Sequence, residues 1–343
     1  MKDLIVIGNG FDLAHGLPTS YSNFIIWYLN KIVQKACGNI FSEDKLIRIS
    51  HDFGKPISYR KFNEIKEFQE TCDKLKLKIE YNSSFFRKLI NLSINSKWKD
   101  IEAEYYFELL RKFRVAEQKY GEGENEMVLE MKRFNEVFAF IKMELVEYLK
   151  TISIVKDLKI PEIEHHFENL TIVPENALVL NFNYTTTPEL YISRGVEIIY
   201  IHGKLSDSKN PIIFGYGDEM DAYYPRIERL NHNEWIKHFK SFSYSKSSNY
   251  QKLFGKIPPH SKFNVHIMGH SCGISDRVLF NSIIELENCH RIYIYYYEKD
   301  GNNDFYEKTM ELSRHFKPEF KHKMRLKIAP FDDPFVKPLM TSK

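Results

Sequence analysis

The apolar positions of the chain fall into two periods. Residues 4–7 (Leu-Ile-Val-Ile) form a short unbroken apolar run, the pattern of a parallel strand covered on both faces. The run breaks at once into Gly8-Asn9-Gly10, a loop punctuated by Gly16 and closed by Pro18. Thr19 or Ser20 can then cap a helix running from Ser22 towards Val33. Between about residues 37 and 160 strand character almost disappears. Phe62, Ile65, Phe68, Cys72 and Leu75 step by three or four, and so do Met127, Met131, Phe134, Phe138, Ile141, Leu145 and Tyr148. Each set makes one apolar stripe at helical period, read as core rather than as a ligand box. Gly121 and Gly123 mark a turn in this helical text. Apolar runs return later, with strands expected at 177–182, 196–201, 212–214, 264–268, 291–297 and 324–328 and helices between several of them.

Strands alternating with helices predict an α/β fold: a doubly wound, mostly parallel, Rossmann-like sheet carrying a large helical insertion. The expected division is a discontinuous nucleotide-binding domain at 1–36 and 161–330, a helical insertion at 37–160, and a loose tail at 331–343. No internal repeat or low-complexity segment interrupts this scheme.

Bulk composition narrows the setting. Lys plus Arg number 49 and Asp plus Glu 46, a net charge of +3, too small to make nucleic acid or an anionic membrane the main partner. With 15% aromatic residues, the 343-residue chain can bury a sizeable core. Cys37, Cys72, Cys272 and Cys289 are scattered, with no C-x-x-C pair, which fits a reducing compartment. The first residues read as a structural strand and not as a signal peptide, and no window has the length of a membrane span. A cytoplasmic location is the expectation.

Four segments carry candidate chemistry, each just beyond an expected strand, where open parallel sheets bind ligands. In the first, Gly8, Asn9, Gly10, Phe11 and Asp12 are followed by His15, Gly16 and Pro18. Glycine lets a backbone turn tightly against a pyrophosphate, and free N–H groups there attract anions. Leu13 stands where a G-x-G-x-x-G pattern has its last glycine, so a plain turn is the competing reading. Asp12 suits a helix cap or a ribose hydroxyl better than a phosphate. In the second, Asn181-Phe182-Asn183-Tyr184-Thr185, Asn183 can orient a water or a ribose hydroxyl, or simply make an Asx-turn. In the third, His202-Gly203 stands at a strand end, and an imidazole there suits general-base work near neutrality. In the fourth, Gly269-His270-Ser271 forms a second small-residue loop leading to a helix near Ser275. His266, His270 and Cys272 do not make a metal site by pattern, since His266 lies inside the strand and no fourth ligand stands nearby. The adjacent His165 and His166 also lack partners at such spacing.

These residues support a resemblance. Gly8-Asn9-Gly10-Phe11-Asp12-Leu13 and Gly16-Leu17-Pro18-Thr19-Ser20-Tyr21 resemble the opening of the bacteriophage abortive infection AbiH family. Trp98-Lys99-Asp100-Ile101-Glu102, Asn181-Phe182-Asn183-Tyr184-Thr185 and Ile201-His202-Gly203 are similar to its later blocks. More distantly, the order Gly8 and Gly10, Gly16 to Pro18, Asn183, His202-Gly203, then Gly269-His270-Ser271 resembles the SIR2-like superfamily of sirtuins and antiphage NAD hydrolases. Asp12 stands where that superfamily usually has Ser or Thr, and Thr19-Ser20-Tyr21 where sirtuins have Asp-Phe-Arg. The four-cysteine zinc module of sirtuins is absent, which argues against a deacylase.

The resemblance implies an antiphage protein hydrolysing NAD at the nicotinamide–ribose bond. Asn183 and His202 are its expected catalytic residues. Gly8, Asn9, Gly10, Phe11, Asp12, Gly16, Pro18, Tyr184, Gly203, Gly269, His270 and Ser271 are expected around the dinucleotide. NAD is the expected ligand or substrate, without a metal. A phage-derived trigger and self-association are expected to gate so toxic an activity through the insertion. One alternative is a sensor that binds NAD, ADP-ribose or another nucleotide without turnover. Another is a nuclease-type toxin using Asp100 and Glu102. Two residues apart on a helix lie roughly 200° apart, so that pair shares no face, and the plain reading is a cap at Asp100 with Trp98 buried.

Overall fold

A computed structural model describes the chain except for residues 96–99, 119–123, 171, 172, 174, 193, 194, 206, 342 and 343. The described residues form ten strands: β1 (Asp3–Ile7), β2 (Phe41–Glu43), β3 (Arg48–Ser50), β4 (Lys78–Glu80), β5 (Ala177–Asn181), β6 (Ile198–Tyr200), β7 (Phe263–Met268), β8 (Cys289–Lys299), β9 (Asn302–Asn303) and β10 (Pro338–Thr341). The chain divides into two compact units. The first comprises Met1–Pro18, Ser153–Pro225 and His238–Lys343; the second comprises Thr19–Ile152 and Arg226–Lys237.

The first unit is built on a seven-stranded sheet in the order β10-β8-β7-β1-β5-β6, with β9 paired antiparallel to β8 and every other pairing parallel. β1 lies inside the sheet. The chain lays β5 and β6 on one side of it, then returns to lay β7, β8 and β10 on the other. This doubly wound, Rossmann-like order has its switch point beside β1, and such a point leaves a crevice beyond the strands' carboxyl ends. The unbroken apolar run of β1 follows from burial on both faces. Leu4 and Val6 join one core with Leu178, Leu180, Val265, Ile267, Ile292 and Ile294. Ile5 and Ile7 point the opposite way, into a second core with Phe11, Phe167, Val179 and Met268.

Three stretches of the first unit depart from expectation. Residues 212–214 form no strand: Ile213 N–H donates to His202 O at 2.8 Å, Tyr184 Oη–H donates to Ile213 O, and Tyr216 N–H donates to His238 O. Their backbone groups are satisfied one at a time by loops, and Pro211 ahead of them has no N–H to give. Residues 324–328 alternate apolar and charged like a strand, yet Lys321–Lys327 is a helix. The helical turn delivers Lys327 Nζ to the carbonyls of Ile284 and Leu286, both at 2.7 Å, capping the end of the helix Arg277–Ile284. Only Ile328 bridges to the sheet, at Ile292. The expected loose tail instead supplies the edge strand β10, with Leu339 in the second core and His166 Nε2 within hydrogen-bond reach of the Pro338 and Leu339 carbonyls.

The second unit contains the long helices Tyr21–Asn39, Ser84–Asn95, Ile101–Gln118 and Glu124–Leu149 and the shorter Lys66–Lys74. Ser20 caps the first of these, its Oγ accepting from Asn23 N–H at 3.1 Å. That helix therefore belongs here and not, as expected, with residues 1–18. The unit is not wholly helical either, because β2, β3 and β4 form a small antiparallel sheet. At three residues each these strands are too short to show a period. Buried Asn30 ties the helix to the loop below it, donating to Phe62 O and accepting from Phe62 N–H. The separate piece Arg226–Lys237 is held by buried Trp235, edge-on to Phe113, and by Asn135 Nδ2 donating to Glu234 O at 2.7 Å. Among the described residues no helix is long and apolar enough to cross a membrane.

Candidate functional site

All four expected segments lie in the first unit, and they meet. The turn after β1 and the turn after β7 are pressed together. Gly8 N–H donates to Met268 O, and Gly10 N–H to Gly269 O at 2.7 Å. A Cβ on Gly10 would sit 2.6 Å from Gly269 O, and one on Gly8 2.5 Å from His270 Cα. The glycines therefore serve backbone-to-backbone approach. The free amides expected of an anion cradle are already engaged at Gly8 and Gly10, and Phe11 N–H bonds Gly8 O in the short helix Asn9–Ala14. Phe11 itself is core, packed on His15, Phe167 and Tyr191.

Two buried carboxyls stand beside this junction. Asp12 is 1% exposed. Its Oδ2 accepts from Thr185 Oγ1 at 2.7 Å, while its Oδ1 has no hydrogen-bond partner among the described residues. Burial pushes this carboxyl up to about 6, against the opposing pull of the Thr185 hydroxyl and, more weakly, of the nearby Thr187 hydroxyl and Asn183 amide. Asn183, two residues beyond β5, has its N–H on Asn181 Oδ1 and donates through Nδ2 to Gly8 O at 3.0 Å. Its amide straps one loop to the other, so part of its hydrogen-bonding capacity is already committed.

The second carboxyl, Asp276, precedes the helix Arg277–Ile284. Lys240 Nζ, also buried, donates to its Oδ1 at 2.8 Å. His202 Nε2 lies 3.2 Å from the same oxygen, off the axis of an aligned hydrogen bond, and His270 Nε2 lies 3.5 Å from Oδ2. Burial alone would raise Asp276, but the Lys240 charge, then His202 and His270, hold it well below the ordinary carboxylate value. The His202 imidazole moves down from its ordinary value, mainly through burial and then through Lys240, with Asp276 opposing. It is therefore neutral at pH 7. His270 Nδ1 accepts from Cys272 N–H at 2.9 Å, which leaves the proton of a neutral ring on Nε2, facing Asp276. The Phe182 ring stands edge-on to both imidazoles. Behind them His315 Nε2–H donates to Cys272 O, and burial lowers that ring to about 4.

Residues 4–297 match the family described as bacteriophage abortive infection AbiH. The chain belongs to the AbiH family. Comparison with curated proteins and with solved structures found no match. The AbiH span takes in both carboxyl centres from Asp12 to Asp276, and stops short of His315 and β10. Membership supports a role in phage abortive infection.

The remaining expected residues of the AbiH span scatter around these centres. Tyr184 Oη–H donates to Ile213 O, and Gly203 is pressed against Pro211. Gly16, Pro18 and Ser271 are exposed, and Asn9 is half-buried. In the second unit, Asp100 Oδ1 accepts from the N–H groups of Glu102 and Ala103, which is the cap expected there; Trp98 lies outside the described residues. His266 pairs with Asp3 and is not joined to His270. Sequence reasoning missed Asp276, Lys240, Thr185 and Thr187 as site residues. Asp276 stood in the fourth segment, but an Asp ahead of a helix reads as a cap. Lys240, amid aromatic and serine residues far from any motif, gave no signal.

Proposed function

We propose that the first unit hydrolyses NAD at the nicotinamide–ribose bond, as the toxic output of an abortive-infection response. One observation carries the reading: at the carboxyl edge of the sheet, beside its switch point, Asp276 holds two imidazoles, and one of them is a buried neutral histidine. A carboxylate near Nε2 favours the ring proton there and leaves His202 Nδ1 as the base. In the reaction the C1′–N bond breaks with its electron pair going to nicotinamide, which leaves neutral. Water adds to the ribose carbon, and its proton passes to His202, giving ADP-ribose. Asn183 and Asp12 fix the floor beside the ribose. Half-buried Asn9 and exposed Ser271, polar members of the two glycine loops, face the dinucleotide. The order shared with SIR2-like enzymes supports the same assignment. A phage component and self-association gate the activity.

The test is nicotinamide release from NAD by purified protein, alone and with extract of infected cells. Wild type releases it, and His202→Ala and Asp276→Asn fall by about 10²-fold or more. No release from wild type in any oligomeric state overturns the proposal. A second reading, a sensor that binds NAD or ADP-ribose without turnover, is favoured by the commitment of the Asn183 amide to Gly8. Calorimetric binding of NAD with no product formed supports that reading instead.

A further inference from the structure

Around Asp276 one further arrangement stands out. The neighbours Asp276 and Arg277 make two buried or half-buried ion pairs in different directions. Asp276 takes Lys240, and Arg277 Nη2 donates to Asp218, a fully buried carboxylate that also accepts from Met220 N–H. The two partner segments are themselves locked together. A Cβ on Gly215 would strike His238 O, and one on Gly217 would meet the Phe239 side chain. Tyr216 N–H donates to His238 O at 3.1 Å. The stretch 215–218 and the stretch 238–240 thus form one clamp on the start of the helix Arg277–Ile284. The chain just ahead of 215–218 reaches His202 directly, through Ile213 N–H on the His202 carbonyl.

We propose that Lys240 is a positioning residue: it pins Asp276 between the imidazoles of His202 and His270 and so keeps His202 available as a base. A buried lysine is held against burial only by strong compensation, and here the compensating group is the one that orients both histidines. The groups facing His202 are Lys240 from the helix Lys240–Ser243, Asp276 ahead of the helix Arg277–Ile284, His270 after β7, and the rings of Phe182 and Tyr244. His315 stands behind His270, with its ring against Phe280. In this set Lys240 and Asp276 are the opposite fixed charges, so removing the lysine leaves a bare carboxylate that draws a proton onto His202.

The inference rests on the reading of His202 as a base, but its main readout does not need turnover. The His202 ring proton is followed by NMR against pH and assigned with His202→Gln. In Lys240→Met the His202 midpoint rises by about one pH unit, whereas Lys240→Arg leaves it within about half a unit. Where NAD turnover is measurable, its acid limb moves up with that midpoint, and on the acid side of both midpoints the rate falls about tenfold in Lys240→Met. A lysine that only filled space would lower the rate at every pH without moving the limb. A folded Lys240→Met with the wild-type His202 midpoint overturns the proposal. If Lys240→Met fails to fold, Lys240→Gln takes its place: a His202 midpoint raised by about one pH unit supports the proposal, and one left at the wild-type value overturns it. A wild type with no NAD turnover but with the expected midpoint shifts sinks the hydrolase reading alone.

Discussion

Asp12 and Asp276 are both buried at the carboxyl edge of one sheet, yet their surroundings shift them in opposite directions. Asp12 has hydroxyls and an amide around it but, among the described residues, no cation, so burial dominates and its carboxyl rises to about 6. Asp276 has the Lys240 ammonium on one oxygen and two imidazoles nearby, and it stays ionised. Neutral hydrogen bonds soften the penalty of burying a charge, and an opposite charge at 2.8 Å overcomes it. The lesson concerns function. A carboxyl that changes state near neutrality can trade a proton, while one that is permanently charged can only orient its neighbours.

The contrast can be broken most forcefully at Asp276. Asp276→Asn leaves the Lys240 ammonium buried against a neutral amide and lowers stability by about 3–5 kcal/mol in urea unfolding. Adding Lys240→Met restores most of that loss, because no charge is then stranded. Asp12 shows its difference in pH dependence. Its folded value lies above that of an unfolded aspartate, so its contribution is full below about pH 4 and is lost as pH rises through 6. Asp12→Asn removes that slope, a change of about 3 kcal/mol between the two ends of the window, seen as a flatter stability curve. Asp276, with its folded value lowered, gives the opposite sign: its contribution is present above about pH 4 and is lost on further acidification. Smaller still is Thr185→Val, which takes the donor from Asp12 Oδ2, costs about 1–2 kcal/mol at pH 7, and raises the Asp12 midpoint. At the bottom of the scale, Glu287→Gln breaks an exposed pair with Lys323 and leaves the urea midpoint where it was.

How much of this was legible follows from what each residue had to do locally. The runs in β1 and β5 announced buried parallel strands because burial on two faces demands near-continuous apolar text, whereas β7 and β8 showed as mostly apolar runs interrupted by polar residues. His202, His270 and Asn183 could be found because strand ends followed by Gly or Asn are where a parallel sheet turns. Lys240 could not, since its meaning comes from an aspartate 36 residues later and from nothing in its own neighbourhood. The glycines of the first loop were legible as tight packing but not in their purpose. A close approach of two backbones and a close approach to a phosphate call for the same residue. Residues 324–328 misled for a related reason, because a long-range lysine contact outvoted local alternation.

The manner in which the second unit is threaded into the first has a practical corollary. The polypeptide passes between the two at four peptide junctions, after Pro18, Ile152, Pro225 and Lys237. Excising residues 19–152 with a short linker would strand the dodecapeptide 226–237 and strip the cover from Trp235. That peptide begins eight residues after Asp218 and ends three residues before Lys240. A protease nick inside it, or a pull upon it, would bear on the covalent anchors of both ion pairs that grip Asp276 and Arg277.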